Sequence, residues 1–248
     1  RWQNILCVML EKGKEPKVDK LRIIQLIECD LQLLLKVIFQ KQLMIHAEAT
    51  GSLTYTQHGS RVNKDIETAL VEKLILCDYS RINRLLMTYI FVDGVSCYDR
   101  IVAAMGLLIC EKYGLHQRVS DLVLQVLQQF KYQTLTAYGT GPMYENSVKT
   151  PLFDSGQRNV ASIIIWALIS CFILYILKDE EGFEIYNVYK EKQRQVSNVT
   201  YVDDINVVCN GKNSQSAVKK DQIFQISNHL CSVPLVVQTL LKKVHGNC

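Results

Sequence analysis

The sequence predicts an α+β fold, in which a small antiparallel sheet carries packed helices and a second region is mostly helical. Three observations predict it. Strand formers run through Leu85-Leu86-Met87-Thr88-Tyr89-Ile90 to Asp93, and helical spacing takes over after it. Two strand-forming runs, Val199 to Val202 and Ile205 to Cys209, flank the acidic pair Asp203-Asp204, the pattern of a hairpin with both carboxylates at its turn. Apolar residues also recur at helical period over 31–47, 66–77 and 119–130.

Taken in order, Leu31, Leu34, Leu35, Ile38 and Phe39 outline a first helix, and Ile66, Leu70, Leu74 and Cys77 outline the apolar face of a second. The run from Leu85 reads as a buried strand. Ile101, Met105, Leu108 and Ile109 then mark a helix that Gly114 stops. After the helix over 119–130, Tyr132 to Pro151 carries Gly139, Gly141 and Pro142 and reads as loop-rich. Val160 to Leu177 is uncharged, bounded by Arg158 and Lys178, and reaches the length of a membrane-spanning candidate. Asn210 to Lys220 is polar and reads as a surface loop, and Ile223 to Lys243 as a helix interrupted near Pro234. No internal repeat or low-complexity linker is present.

A chain of 248 residues can bury a substantial core. Its net charge of +4 is a mild basic excess, gathered at Lys12 to Lys17, Lys190 to Arg194 and Lys219-Lys220, where solvated faces or a nucleic-acid backbone are the two readings. Nine cysteines form no Cys-x-x-Cys pair, and Cys77, Cys97, Cys110, Cys171 and Cys209 lie in or beside apolar runs, as buried thiols of a reducing compartment do. The five histidines share no zinc-ligand spacing. No secretory signal is seen, so an intracellular site, nucleus or cytoplasm, is expected, and the glycosylation match at Asn198-Val199-Thr200 reads as chance.

Adjacent carboxylates repel by roughly 4 kcal/mol at ~4 Å and an effective dielectric of ~20, a cost that a divalent cation reverses. An aspartate at a strand end facing an acidic hairpin is the arrangement needed to hold two Mg²⁺ ions for in-line nucleotidyl transfer. The order of Asp93 with Tyr98-Asp99, then Ser155-Gly156-Gln157, then Tyr201-Val202-Asp203-Asp204 resembles motifs A, B and C of a retroelement reverse transcriptase. Lys20-Leu21-Arg22-Ile23-Ile24 resembles the fingers segment that meets the nucleotide's phosphates, and Gln57-His58-Gly59-Ser60-Arg61 the glutamine-glycine element that follows it. The wording Ser96-Cys97-Tyr98-Asp99-Arg100-Ile101 is similar to elements of the non-long-terminal-repeat type.

The resemblance implies a polymerase palm with a small antiparallel sheet over 85–248, including part of the fingers-palm connection at 115–155, and mostly helical fingers over 1–84. It implies an RNA-directed DNA polymerase that extends a DNA primer on an RNA template with deoxynucleoside triphosphates and two Mg²⁺ ions. Asp93, Asp203 and Asp204 would be the catalytic, metal-binding carboxylates. Arg22 would bind the triphosphate, Tyr98 would exclude a 2′-hydroxyl by steric clash, and Gln157 would lie against the template-nucleotide pair. The apolar run over 160–177 would be the palm helix behind motif B, so a membrane is not expected as a partner.

Two departures stand out. Arg158 follows Gln157 where the family has glycine, and Ile163 follows Ser162 where it has proline. The segment also stops at Val244-His245-Gly246-Asn247-Cys248, about where the next palm motif would begin, so thumb, primer grip and nuclease are expected to be absent and the chain reads as a partial or decayed copy. The alternatives are a catalytically silent, nucleic-acid-binding remnant of such a polymerase, and a helical membrane protein with a chance acidic turn.

Overall fold

Along Asn4–Glu11 buried Ile5 and Cys7 alternate with more exposed neighbours, the period of two of a half-buried strand. The computed structural model describes residues 2–11, 21–93, 98, 101–145, 159–177 and 182–210, with backbone alone at 92, 93, 176, 177 and 210. In chain order the elements of the first half are β1 (Asn4–Glu11), β2 (Leu21–Leu26), α1 (Cys29–Leu35), a π-helical stretch (Lys36–Met44), α2 (Ile45–Ala49), α3 (Ile66–Ile82), β3 (Met87–Asp93), α4 (Ala103–Lys112) and α5 (Gln117–Gln128). The second half adds β4 (Lys131–Thr136), β5 (Gly139–Glu145), α6 (Val160–Leu177), β6 (Phe183–Tyr186), β7 (Lys192–Val196), β8 (Asn198–Tyr201) and β9 (Asp204–Asn210). The chain divides into two compact units, residues 1–50 with 98–165 and residues 51–97 with 166–248.

The first unit holds a four-stranded sheet in the order β2-β1-β4-β5. β1 pairs antiparallel with β2 and parallel with β4, and β4 pairs antiparallel with β5. The expectation of a loop-rich passage from Tyr132 is therefore corrected as far as Glu145, because β4 and β5 form a hairpin there. Tyr132 and Tyr144 are cross-strand partners with stacked rings 5.6 Å apart, and β5 is an edge strand, where Pro142 need not donate to a ladder. The first predicted helix runs without a break over 29–49, its middle in π geometry, and buries Leu31, Leu35, Phe39, Leu43 and Met44. Gly114 ends α4 as expected. It sits at φ 102°, and a Cβ there would lie 2.7 Å from His46 Cδ2.

The second unit is built on an antiparallel three-stranded sheet in the order β3-β9-β8. Ala69 and Leu76 of α3 pack with Phe183, Val196, Val199 and Val208 into one core, which Tyr79, Met87, Tyr89, Ile185 and Tyr201 border. This corrects the predicted face of α3. Ile66, Leu70 and Leu74 are 60%, 54% and 55% exposed, and Cys77 is exposed too, whereas Ala69, Leu76 and Ser80 face inward. The helix is apolar on more than one side, so period alone does not select its buried stripe. Cys110, Cys171 and Cys209 are buried as expected, and Cys97 lies outside the described residues.

Trp166, Leu168, Ile169 and Leu174 of α6 are buried, and among the described residues no helix is long and apolar enough to cross a membrane. The loop and helix expected beyond residue 210 lie outside the described residues.

Candidate active site

Ile205, Val207, Val208 and Cys209 are all buried, so β9 is a core strand that begins on the acidic residue Asp204. Its ladder with β3 runs in unbroken register from Met87 opposite Asn210 to Asp93 opposite Asp204. Partner Cα atoms in such a ladder lie about 4.5–5.5 Å apart. Tyr201 pairs with Asp204 on the other side, leaving only Val202 and Asp203 in the hairpin loop. Three aspartate positions, 93, 203 and 204, thus share one end of the sheet. Asp204 is exposed and Asp203 half-buried, and the side chain of Asp93 lies outside the described residues. Among the described residues no three His, Cys, Asp or Glu side chains are grouped to hold a metal ion.

The loop is conformationally demanding. Val202 has φ 56°, at the position where a two-residue hairpin of this kind takes glycine. A β-branched residue there is a steric outlier, at a cost of about 1–2 kcal/mol. Both of its backbone polar groups are held from outside the hairpin. Gln57 Oε1 accepts from Val202 N at 3.2 Å and from Gly59 N at 2.8 Å. Gln57 Nε2 donates to Val202 O at 3.3 Å and to Ser170 Oγ at 2.6 Å, so the buried amide uses all four of its hydrogen-bonding sites. Two backbone N–H groups converge on one of its terminal atoms, which must therefore be oxygen. Trp166 Nε1 adds a second donor to Val202 O at 2.9 Å.

The segment bearing Gln57 lies along the edge of β8. Thr200 N donates to Thr56 O at 2.9 Å and His58 N donates to Thr200 O at 2.8 Å. Gly59 then passes so close to the turn that a Cβ would lie 2.4 Å from Val202 N. Behind it, His58 Nε2 meets Glu72 Oε2 at 2.9 Å, and Arg194 bridges Glu72 at 2.6 Å while lying over the Tyr55 ring. Burial holds the His58 imidazole below its ordinary pKa, outweighing the opposing pull of the Glu72 hydrogen bond.

The remaining predicted residues belong to the first unit or fall outside the described residues. Arg22 is exposed on β2, opposite Leu10, and Tyr98 is a half-buried residue ahead of α4 whose carbonyl accepts from Ile101 N at 3.4 Å. Both belong to the first unit, whereas the acidic hairpin belongs to the second. Gln157 and Arg158 lie outside the described residues. Sequence reasoning assigned no role to Gln57 within its motif and missed Trp166 altogether. The one available signal was an indole N–H inside an aliphatic run, a donor that needs a partner when buried.

No protein-family model and no curated protein matches the chain. Solved structures do. Telomerase from Candida albicans in complex with a TWJ fragment of telomeric RNA superimposes with a TM-score of 0.55 at 12% identity, covering 91% of this chain and 40% of that one. The corresponding complex of telomerase from Candida tropicalis gives 0.53 at 13% identity, covering 89% of this chain and 38% of that one. Apo telomerase from Candida tropicalis truncated from its C-terminal domain gives 0.50 at 13% identity, covering 88% and 46%. This chain therefore has a mixed α and β fold like that of telomerase, a reverse transcriptase-related polymerase, and spans less than half the length of each of these chains. At this identity the likeness is one of fold.

Proposed function

We propose that the chain is the fingers and palm portion of an RNA-directed DNA polymerase from a retroelement, which extends a primer 3′-hydroxyl with deoxynucleoside triphosphates. The observation that carries the reading is the register pairing Asp93 with Asp204, with Asp203 beside them at the turn. The telomerase-like fold supports it, and the telomerase neighbours solved with telomeric RNA favour RNA as a partner here too. In this reading residues 1–84 supply the fingers and 85–248 the palm, with 51–84 also packing against the palm sheet. The non-long-terminal-repeat type rests on the wording around Tyr98.

Two Mg²⁺ ions fit the donor set, because carboxylates are the hard oxygen ligands that Mg²⁺ takes and three aspartate positions share one sheet end. When bound, they would activate the 3′-hydroxyl and neutralise charge on the triphosphate. Asp93, Asp203 and Asp204 would hold them. Arg22 would bind phosphate oxygens through its forked donors, Tyr98 would reject a 2′-hydroxyl, and Gln157 would bear on the template-nucleotide pair.

The test is primer extension on an RNA template with Mg²⁺, comparing the chain with an Asp203→Asn, Asp204→Asn variant. Extension by the wild type that disappears in the variant is expected, and equal extension by both overturns the reading. Arg158 in place of the family's glycine favours a second reading, a silent polymerase remnant. Salt-sensitive binding of primer-template without extension by either chain would select it.

A further inference from the structure

We propose that Gln57 is a positioning residue for Asp203. It holds the strained turn Val202-Asp203 in the one conformation that presents the Asp203 carboxylate at the sheet end. The inference rests on the polymerase reading only in taking Asp203 as a metal ligand. Three observations carry it. Val202 occupies left-handed backbone space that a valine does not adopt by itself. Its N–H and C=O are both hydrogen-bonded by the Gln57 amide, whose other two bonds go to Gly59 N and Ser170 Oγ and so tie the turn to two separate parts of the unit. Gly59 and Trp166 complete the grip, the first by admitting the backbone at a distance no Cβ would tolerate, the second by donating to Val202 O.

Without the amide the turn is free to relax toward ordinary φ, and Asp203, the next residue, moves with it. Leucine at 57 keeps the bulk and loses every hydrogen bond. Glutamate keeps the acceptor and loses the Nε2 donor. Glycine at 202 lets the turn reach the same φ without help.

The experiment uses the full chain and two readouts. Native-state hydrogen exchange reports the Val202 and Gly59 amides, and Mn²⁺ binding, followed by its paramagnetic resonance signal, reports the carboxylates. In Gln57→Leu the Val202 amide is expected to exchange about tenfold faster, with amides of β4 unchanged, and Mn²⁺ affinity to fall about fivefold or more. Gln57→Glu should fall between. Adding Val202→Gly to Gln57→Leu should restore Mn²⁺ affinity while leaving Gly59 unprotected, a rescue that general destabilisation does not produce. Should Gln57→Leu fail to fold, Trp166→Phe removes one donor from Val202 O and must show the same changes in smaller degree. Unchanged Val202 protection in the soluble variant, or no rescue by glycine, overturns the proposal. Wild-type chain that binds no Mn²⁺ overturns the polymerase reading instead, and the exchange data then decide alone whether Gln57 holds the turn.

Discussion

His58 shows how a single side chain near the acidic turn couples the fold to pH. It is 3% exposed, Nε2 is engaged by Glu72, and Nδ1 has no hydrogen-bond partner among the described residues. Protonation would thus place an unpaired N–H in a buried site. Its pKa in the folded chain lies below the value of about 6.5 that it regains on unfolding. The unfolded chain then binds more protons between the two values, so stability present above about pH 6.5 is lost as pH falls through it. Urea midpoints at pH 7.5 and 5.5 should differ, with the lower value at pH 5.5, and His58→Gln should flatten that difference; an equally steep dependence in the variant would assign it elsewhere. At this scale the place of Asp203 and Asp204 at a hairpin was legible because an acidic pair between strand formers is a local pattern. The role of Gln57 was not, since Ser170 and Val202 lie 113 and 145 residues away in sequence.

Among the elements, the β6–β7 hairpin was unforeseen and yet supplies two fully buried residues, Phe183 and Val196, to the core beneath the site. Phe183 packs edge-on against Tyr79 with ring centroids 6.1 Å apart. Phe183→Ala is expected to destabilise the chain by about 3–5 kcal/mol, read from urea unfolding, because it removes a fully buried aromatic ring from the core; a loss under about 1 kcal/mol would contradict this packing. Helices were read well from period: α4, α5 and the helix over 29–49 fall near their expected bounds. The short strands were not. Lys192–Val196 is nearly all polar, so only pairing with β6 makes it a strand. The apolar stripe of α3 failed for a related reason, since which of two apolar sides is buried depends on what the rest of the chain brings against it.

For the molecule as a whole, a net charge of +4 is modest, and nucleic-acid binding would draw on local clusters rather than on the overall field. If primer-template is the partner, affinity should fall at least roughly tenfold between about 50 and 200 mM salt, the loss expected of as few as two phosphate contacts. Binding indifferent to salt would count against a nucleic-acid partner. Sequence order alone carried the acidic hairpin, the strand ending on Asp93, though not its expected burial, since Leu86 and Phe91 are exposed, the main helices and the α+β class, because each depends on residues within a few positions of one another. Tertiary structure alone decided that β3 and β9 pair with Asp93 opposite Asp204, that two sheets form from strands remote in the chain, and that Gln57 and Trp166 grip the turn. Register and hydrogen-bond partners across such separations are chosen by the packing of the whole core, and no local pattern encodes them.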